Sequence, residues 1–289
     1  MRDSQKIGDA STLSEFESMI QCTCPIIPIT GFPYCEKESS TMSIVFRGQA
    51  NKSFELTPSI FRNGHLQSEN KIFEKGLEMV GKEFPDIERD FDKLAIMQHY
   101  GIPTRLLDFS LRPLIALYFA CCDCFDKDGR VFLLRANDTK IEAEEIEAIL
   151  KFISLESVSD NYFEDMRNRL GRMYPRNKLA DMLNRDYLVY PYISNQRLKL
   201  QNGVFVIFGQ DLRSVSKTAH NLTDGELRSW PNNSKSYIHA YLSYIDIPAI
   251  AKQSILSELN DKGINDNSVY PDGTCWKCIL EEAIKNDNT

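Results

Sequence analysis

No stretch of this 289-residue sequence is apolar over a length that could cross a bilayer. The opening Met1-Arg2-Asp3-Ser4-Gln5-Lys6 leads into no apolar core of a secretory signal, so a soluble, cytoplasmic protein with no membrane partner is expected. Basic charge is short as well. With 34 Lys and Arg against 41 Asp and Glu the net charge is −7, which argues against a general nucleic-acid coat, because phosphate binding is driven by Lys and Arg. A local basic groove stays open. Arg105, Arg112, Arg167, Arg169, Arg172, Arg176 and Lys178 would form one if the fold gathered them, and would be scattered solvated charge otherwise. No internal repeat and no low-complexity linker breaks the chain.

Metal ligands are also scarce in usable patterns. There are four histidines, and no two of them are spaced as neighbouring ligands. The eight cysteines include one Cys-x-x-Cys pair, Cys275 and Cys278, but Cys22-Thr23-Cys24 is a poor second pair for a four-ligand zinc site. Cys121, Cys122 and Cys124 end an apolar helix, where buried cysteine acts as a small hydrophobe. No structural metal is expected, and free thiols are.

What is present is ordinary globular composition, 42% hydrophobic and 26% charged, in a chain long enough to bury a core without staples. Residues 1–40 are polar, with a helix-like stretch near Leu13–Ile20, and read as an N-terminal extension. From residue 41 the pattern mixes strands and helices. Ser43–Phe46 reads as a strand ending at Gly48, residues 69–98 as helix broken at Pro85, and Leu111 to about Phe125 as a buried helix with Ser110 as its N-cap. Strands follow at Arg130–Leu134, Leu188–Tyr190, Val204–Phe208 and Tyr237–Ile247, and Pro248 opens a helix that stops at Gly263. Residues 137–187 are charged and helical, an insertion beside the rest. The mixed order favours α+β over a doubly wound fold.

Three pieces interrupt apolar elements with polar residues. Phe46-Arg47-Gly48-Gln49 puts a fork-shaped donor beside a glycine that allows close backbone approach, which suits phosphate or carboxylate, or a simple turn with surface charge. Gln98-His99-Tyr100-Gly101-Ile102-Pro103-Thr104-Arg105-Leu106-Leu107-Asp108-Phe109-Ser110 sets polar groups between two apolar helices, a costly place unless they have partners. Pairing of Arg105 with Asp108 is one way to satisfy them. Asn195 to Phe205 leads polar side chains, Gln201 among them, into a buried strand, which an amphipathic strand would also explain.

In their order these pieces closely resemble the FRG domain family. The resemblance runs through Ile44–Gln49, Leu56–Arg62, His99–Ser110, Pro113–Ala120, Gln196–Phe205 and Gly263–Asp272, which covers most of residues 43–273. More distantly, Phe46-Arg47-Gly48, Leu107–Ser110, Ala116–Ala120 and Arg130–Leu134 are similar in order to the elements of mono-ADP-ribosyltransferases.

That second resemblance implies an ADP-ribosyltransferase-like mixed sheet core with flanking helices over residues 41–289, and NAD as substrate. Arg47, His99 and Gln201 would be catalytic. Arg47, Gly48, Gln49, Tyr100, Thr104, Arg105, Asp108 and Ser110 would bind NAD. The FRG resemblance implies a bacterial toxin or antiphage effector, one that modifies a macromolecular target and is restrained by a neutralising antitoxin. One signature is missing: the acidic residue that such enzymes carry before the Gly–Phe pair is not found, since Gln196, Arg197 and Gln201 precede Gly203 and Phe205. Gln201 or Gln196 would then suffice, or Glu226 or Asp108 would serve, or the domain binds nucleotide or nucleic acid without turnover. A purely structural or partner-binding role for these polar groups is the remaining alternative.

Overall fold

The computed structural model describes residues 5–24, 42–155, 162–192, 200–209 and 241–270. Its strands are β1 (Gln5–Asp9), β2 (Met42–Gln49), β3 (Leu106–Ser110), β4 (Gly129–Thr139), β5 (Tyr187–Val189), β6 (Gly203–Ile207) and β7 (Tyr241–Ile247). The longer helices are α1 (Leu13–Thr23), α2 (Glu69–Glu83), α3 (Asp90–His99), α4 (Pro113–Cys121), α5 (Glu144–Ile153), α6 (Tyr162–Leu170), α7 (Arg176–Leu183) and α8 (Lys252–Asp261), with a short α9 at Asp266–Val269. No helix among the described residues is long and apolar enough to cross a membrane.

The fold is mixed α/β, as the alternation of elements suggests. The sheet runs β1-β7-β4-β2-β3-β6-β5, and β5 returns to pair with β4. Five strands, β4, β2, β3, β6 and β5, therefore close into a barrel. The length of β4 makes this possible: along one edge Gly129–Arg135 pairs with β7, and beyond it Asp138 and Thr139 pair with β5. Closure leaves β4 a member of both the barrel and the open extension β7-β1.

Alternation of side chains along each strand separates the cores. Val45, Leu107, Phe109, Phe132, Leu134, Val204 and Val206 fill the barrel. Phe46, Val131, Leu133, Ile245 and Ile247 face outward and are covered by α1, α4 and α8. On another side, Leu106, Phe205 and Ile207 are covered by α2, α3 and the helices α5–α7. Helix α4 is apolar nearly all round and reaches the sheet at two glycines. A Cβ on Gly48 would lie 1.8 Å from Ala116 O, and one on Gly129 would lie 2.2 Å from Ala120 O.

Several boundaries differ from the sequence reading. Residues 5–24 are not an extension: β1 pairs in parallel with β7, and Phe16 and Ile20 of α1 are fully buried. The strand escaped notice because Gln5, Lys6 and Asp9 are exposed and give no apolar signal. The proposed insertion at 137–187 is helical in its middle, but Asn137–Thr139 finish β4 and Tyr187 starts β5. Arg112, not Ser110, stands at the N-cap position of α4 and makes no side-chain capping bond there; the Ser110 hydroxyl accepts from Arg112 N, and the helix ends at Cys121. The early strand extends to Gln49, and residues 237–240 of the last expected strand lie outside the described residues.

Burial pushes the thiol of Cys121 up to about 12 and that of Cys122 to about 11, so at neutral pH both behave as small apolar groups. Among the described residues no cluster of His, Cys, Asp and Glu is arranged to hold a metal. Cys275 and Cys278 lie outside them.

Lys252, at the start of α8, is fully buried with no carboxylate on its ammonium. Its Nζ donates to Ala50 O at 2.5 Å, Asp123 O at 2.9 Å and Cys124 O at 3.0 Å, which fastens the turn after β2 and the turn after α4 to α8. Lys252→Met keeps most of the stem and strips the donor from three carbonyls. A buried group left unpaired costs about 1–3 kcal/mol, so a loss of roughly 3 kcal/mol or more is expected, a fall of about 6–12 °C in melting temperature. An unchanged thermal transition would contradict this clamp.

Candidate functional site

β2 and β3 pair at a single position, Phe46 with Ser110, and then diverge. The two helical layers cover the barrel on either side of this divergence, and the strip of wall left between them is a cleft of about 280 Å³. Its floor holds Phe46, Gly48, Asp108, Ser110 and Phe205. One wall is α4, through Ala116 and Phe119, and the other is the end of α3, through Ala95, Gln98 and His99. Arg47 and Gln201 also line it.

The guanidinium of Arg47 crosses the gap between the strands. Its Nη1 donates to Asp108 O at 2.7 Å and stands 3.8 Å from Asp108 Oδ2, with about 21% of the side chain exposed. Its Nε is buried without a hydrogen-bond partner. Burial draws its pKa below the usual value, Asp108 opposes the shift, and the charge of Arg62 adds to it.

Asp108 is fixed from behind. Thr104 Oγ1 donates to Gln98 Oε1 at 2.6 Å, which leaves the amide nitrogen of Gln98 to donate to Asp108 Oδ2 at 2.9 Å. The second carboxylate oxygen makes no bond to any described residue. Ser110 Oγ donates to Gln201 O at 2.5 Å and accepts from Arg112 N at 2.9 Å, tying the end of β3 to the turn before β6. Gln201 Nε2 in turn donates to Val269 O at 3.0 Å.

Of the residues expected at the site, Arg47, Gly48, His99, Asp108, Ser110 and Gln201 share the cleft, although they span 47 to 201 in the sequence. The others do not. Gln49 is buried and donates to Glu55 O at 3.3 Å. Tyr100 turns outward, 48% exposed, packed against His99 and Phe84. Thr104 acts one step back, through Gln98.

Arg105 is 1% exposed and does not pair with Asp108. Its Nε and Nη2 each lie 2.5 Å from a carboxylate oxygen of Glu69, and its Nη1 donates to Gly209 O at 3.1 Å. A fully buried guanidinium held by a fork is a framework element joining α2 to the end of β6. Gly48 also changes meaning, since the backbone that approaches it belongs to α4.

Gln98 was overlooked as a site residue. The available signal was a polar residue opening the run that ends a helix whose Phe91, Leu94, Ala95, Ile96 and Met97 are all buried. The helices α5–α7 do not line the cleft; they pack behind its α3 wall, against α2 and α3. Nor do the arginines gather into a groove. Arg167 binds Glu164, Arg169 binds Ser154, Arg172 and Lys178 share Glu144, and Arg176 stacks on Phe163. The candidates Gln196 and Glu226 lie outside the described residues.

No curated protein and no solved structure matches the chain. Residues 42–129 supply β2, α2, α3, β3 and α4, and with them Arg47, Gln98, His99, Asp108 and Ser110; this stretch, less than half of the chain, matches the family model of the FRG domain.

Proposed function

We propose that the Arg47 cleft binds NAD and that the protein is an ADP-ribosyltransferase-like effector acting on a macromolecular acceptor. The supporting observation is the pairing of Arg47 with Asp108 in one cleft with His99 and Gln201. A guanidinium with a buried, unpartnered Nε suits a phosphate. A carboxylate with one oxygen held by Gln98 and Arg47 and the other open suits a ribose hydroxyl or a cationic sugar carbon. Phe119 and His99 offer ring faces and edges to a base. At about 280 Å³ the cleft is at the small end for ligand sites, which suits one half of a dinucleotide.

In such a transfer the bond between the ribose carbon and the nicotinamide nitrogen breaks, its electron pair leaving with nicotinamide. The acceptor then bonds to that carbon and loses its proton to solvent. Asp108 supplies the negative charge that Gln201 lacks, facing the positive charge developed on the sugar. On this reading the acceptor is a protein or nucleic acid, and an antitoxin partner restrains the effector.

A second reading, a nucleotide-binding module without turnover, is favoured by Gln201, which is neutral and whose amide is engaged by Val269 O. Incubating the protein with labelled NAD and cell lysate separates the two. Label on a macromolecule supports transfer, binding without label supports the module, and no binding removes both. Arg47→Lys, which loses the fork, is expected to abolish labelling and to weaken NAD binding by about 1.5–3 kcal/mol. Labelling at the wild-type level by this variant would exclude Arg47 from the site.

A further inference from the structure

Thr104, the residue that orients Gln98, is bonded at every polar atom. Helix α3 ends in a Schellman turn: Gly101 N donates to Gln98 O at 3.1 Å and Ile102 N to Met97 O at 3.0 Å. Gly101 takes the left-handed conformation, at φ +73°, that this turn requires, and Ile102 packs against the buried cluster that contains Met97. The chain therefore doubles back, and Thr104 arrives beside Gln98, six residues before it in the sequence. Thr104 is 2% exposed. Its N donates to Ser59 Oγ and its O accepts from Ile60 N, both at 3.1 Å, in the single turn Ser59–Phe61. Its hydroxyl accepts from Leu106 N at 3.1 Å.

These bonds dictate which way the Gln98 amide faces. A carboxylate can only accept, so the end of the amide turned to Asp108 is the nitrogen. The other end is a carbonyl oxygen and needs a donor. The Thr104 hydroxyl supplies it: one lone pair is taken by Leu106 N, and its proton goes to Gln98 Oε1 at 2.6 Å. Gln98 Nε2 then holds Asp108 Oδ2 at 2.9 Å, the same oxygen that Arg47 Nη1 approaches to 3.8 Å. Gripped at that oxygen, Asp108 keeps one orientation although about 54% of its side chain is open to solvent. An exposed aspartate without such a hold hops among rotamers.

We propose that Thr104 and Gln98 are positioning residues, a two-step relay that aims the open oxygen of Asp108 into the cleft, and that turnover depends on this aim more than ligand binding does. The second half of the proposal rests on the NAD reading of the cleft; the relay itself is a property of the unliganded protein. A ribose hydroxyl finds an acceptor in more than one rotamer of the carboxylate, because both oxygens accept. Positive charge developing on the sugar carbon is stabilised only by a carboxylate held in place, and displacement by about 1 Å costs about a hundredfold in rate.

Thr104→Val and Thr104→Ser test the relay, since valine keeps the shape without the hydroxyl and serine keeps the hydroxyl. The first measurement is exchange of the Gln98 side-chain amide protons with water, by NMR on the unliganded protein. Thr104→Val is expected to speed this exchange at least about tenfold, and Thr104→Ser to leave it at the wild-type rate. The second is nicotinamide release from NAD. Thr104→Val is expected to lower kcat about 10- to 100-fold with KM within about threefold of wild type, and Thr104→Ser to recover most of the loss. Valine also takes from Leu106 N its acceptor, so the melting temperature falls whether Thr104 positions Asp108 or merely supports the fold. A merely structural Thr104 would lower the melting temperature and leave both amide exchange and kcat of the folded protein unchanged. Wild-type exchange in Thr104→Val therefore overturns the relay, and wild-type kcat overturns its part in turnover. The two readings fail separately. Absence of NAD turnover in wild type removes the transferase and leaves the relay to be decided by amide exchange alone, whereas NAD turnover with exchange indifferent to Thr104 retains the transferase and removes the relay.

Discussion

Gly48→Ala is expected to destabilise the fold by at least about 3 kcal/mol, the upper end of the usual penalty for overpacking. The added Cβ would sit 1.8 Å from Ala116 O and 2.8 Å from Ala120 N, and both are backbone atoms of a helix that is itself buried. No side-chain rotation relieves that contact. Either α4 lifts from the barrel, exposing Leu114, Leu117 and Phe46, or β2 shifts and loses its ladder with β4. Since β2 carries Arg47 and α4 carries Phe119, either response also deforms the cleft. Gly81 provides the contrast: it lies inside α2 with nothing within 4 Å of a Cβ. Gly81→Ala is therefore expected to stabilise by about 0.5–1 kcal/mol, the ordinary gain from helix propensity and a less flexible unfolded chain. Chemical denaturation of the two variants measures both. A Gly48→Ala protein as stable as wild type would show that α4 does not press on β2 as described.

The role of Gly48 illustrates which parts of the molecule the sequence makes legible. An arginine and a glycine at a strand end signal close approach by something, but not whether that is a ligand or a helix that begins 65 residues later, at Pro113. Strands with strong alternation or apolar runs, such as β4 and β6, and the all-apolar α4 were visible locally, because period and composition are local properties. Closure of the barrel was not, since it depends on two residues of β4, Asp138 and Thr139, meeting Leu188 and Val189 across a helical excursion. Nor was the fate of the polar run 98–110. Its spacing permits Arg105 to meet Asp108, but β3 places Leu107 and Phe109 inside the barrel and Asp108 outside, while Arg105 is drawn back to Glu69 and Gly209. The polar interruptions point to convergence of Arg47, His99, Tyr100, Asp108, Ser110 and Gln201, and the cleft gathers all of these but Tyr100, which turns outward. Which of them point at ligand and which at each other needed the register.

The same register leads to an expectation opposite to the one the sequence invites at Gln201. A carboxylate is the residue that transferase chemistry calls for before the Gly203–Phe205 strand, so Gln201→Glu would be the obvious restoration. In the structure Gln201 Nε2 donates to Val269 O at 3.0 Å, and a glutamate would set a carboxylate oxygen against a carbonyl. Gln201→Glu is therefore expected to lose stability, by about 1–3 kcal/mol, and to gain no activity. Asp108→Asn is expected to behave in the complementary way. Asparagine still accepts from Gln98 through its carbonyl oxygen, and the ion pair it gives up is half exposed, with about 54% of the Asp108 side chain open, so stability should change by less than about 1 kcal/mol. Binding of ADP-ribose should weaken as well, since the one asparagine oxygen is held by Gln98 and the open position becomes an amide nitrogen that no longer accepts from a hydroxyl. Turnover of NAD should fall by about 100- to 1000-fold, the usual cost of removing one electrostatic partner of a transition state. Melting temperature, ADP-ribose affinity and nicotinamide release on the two variants decide the matter. Faster nicotinamide release from Gln201→Glu, or undiminished release from Asp108→Asn, would move the negative charge of the site away from Asp108.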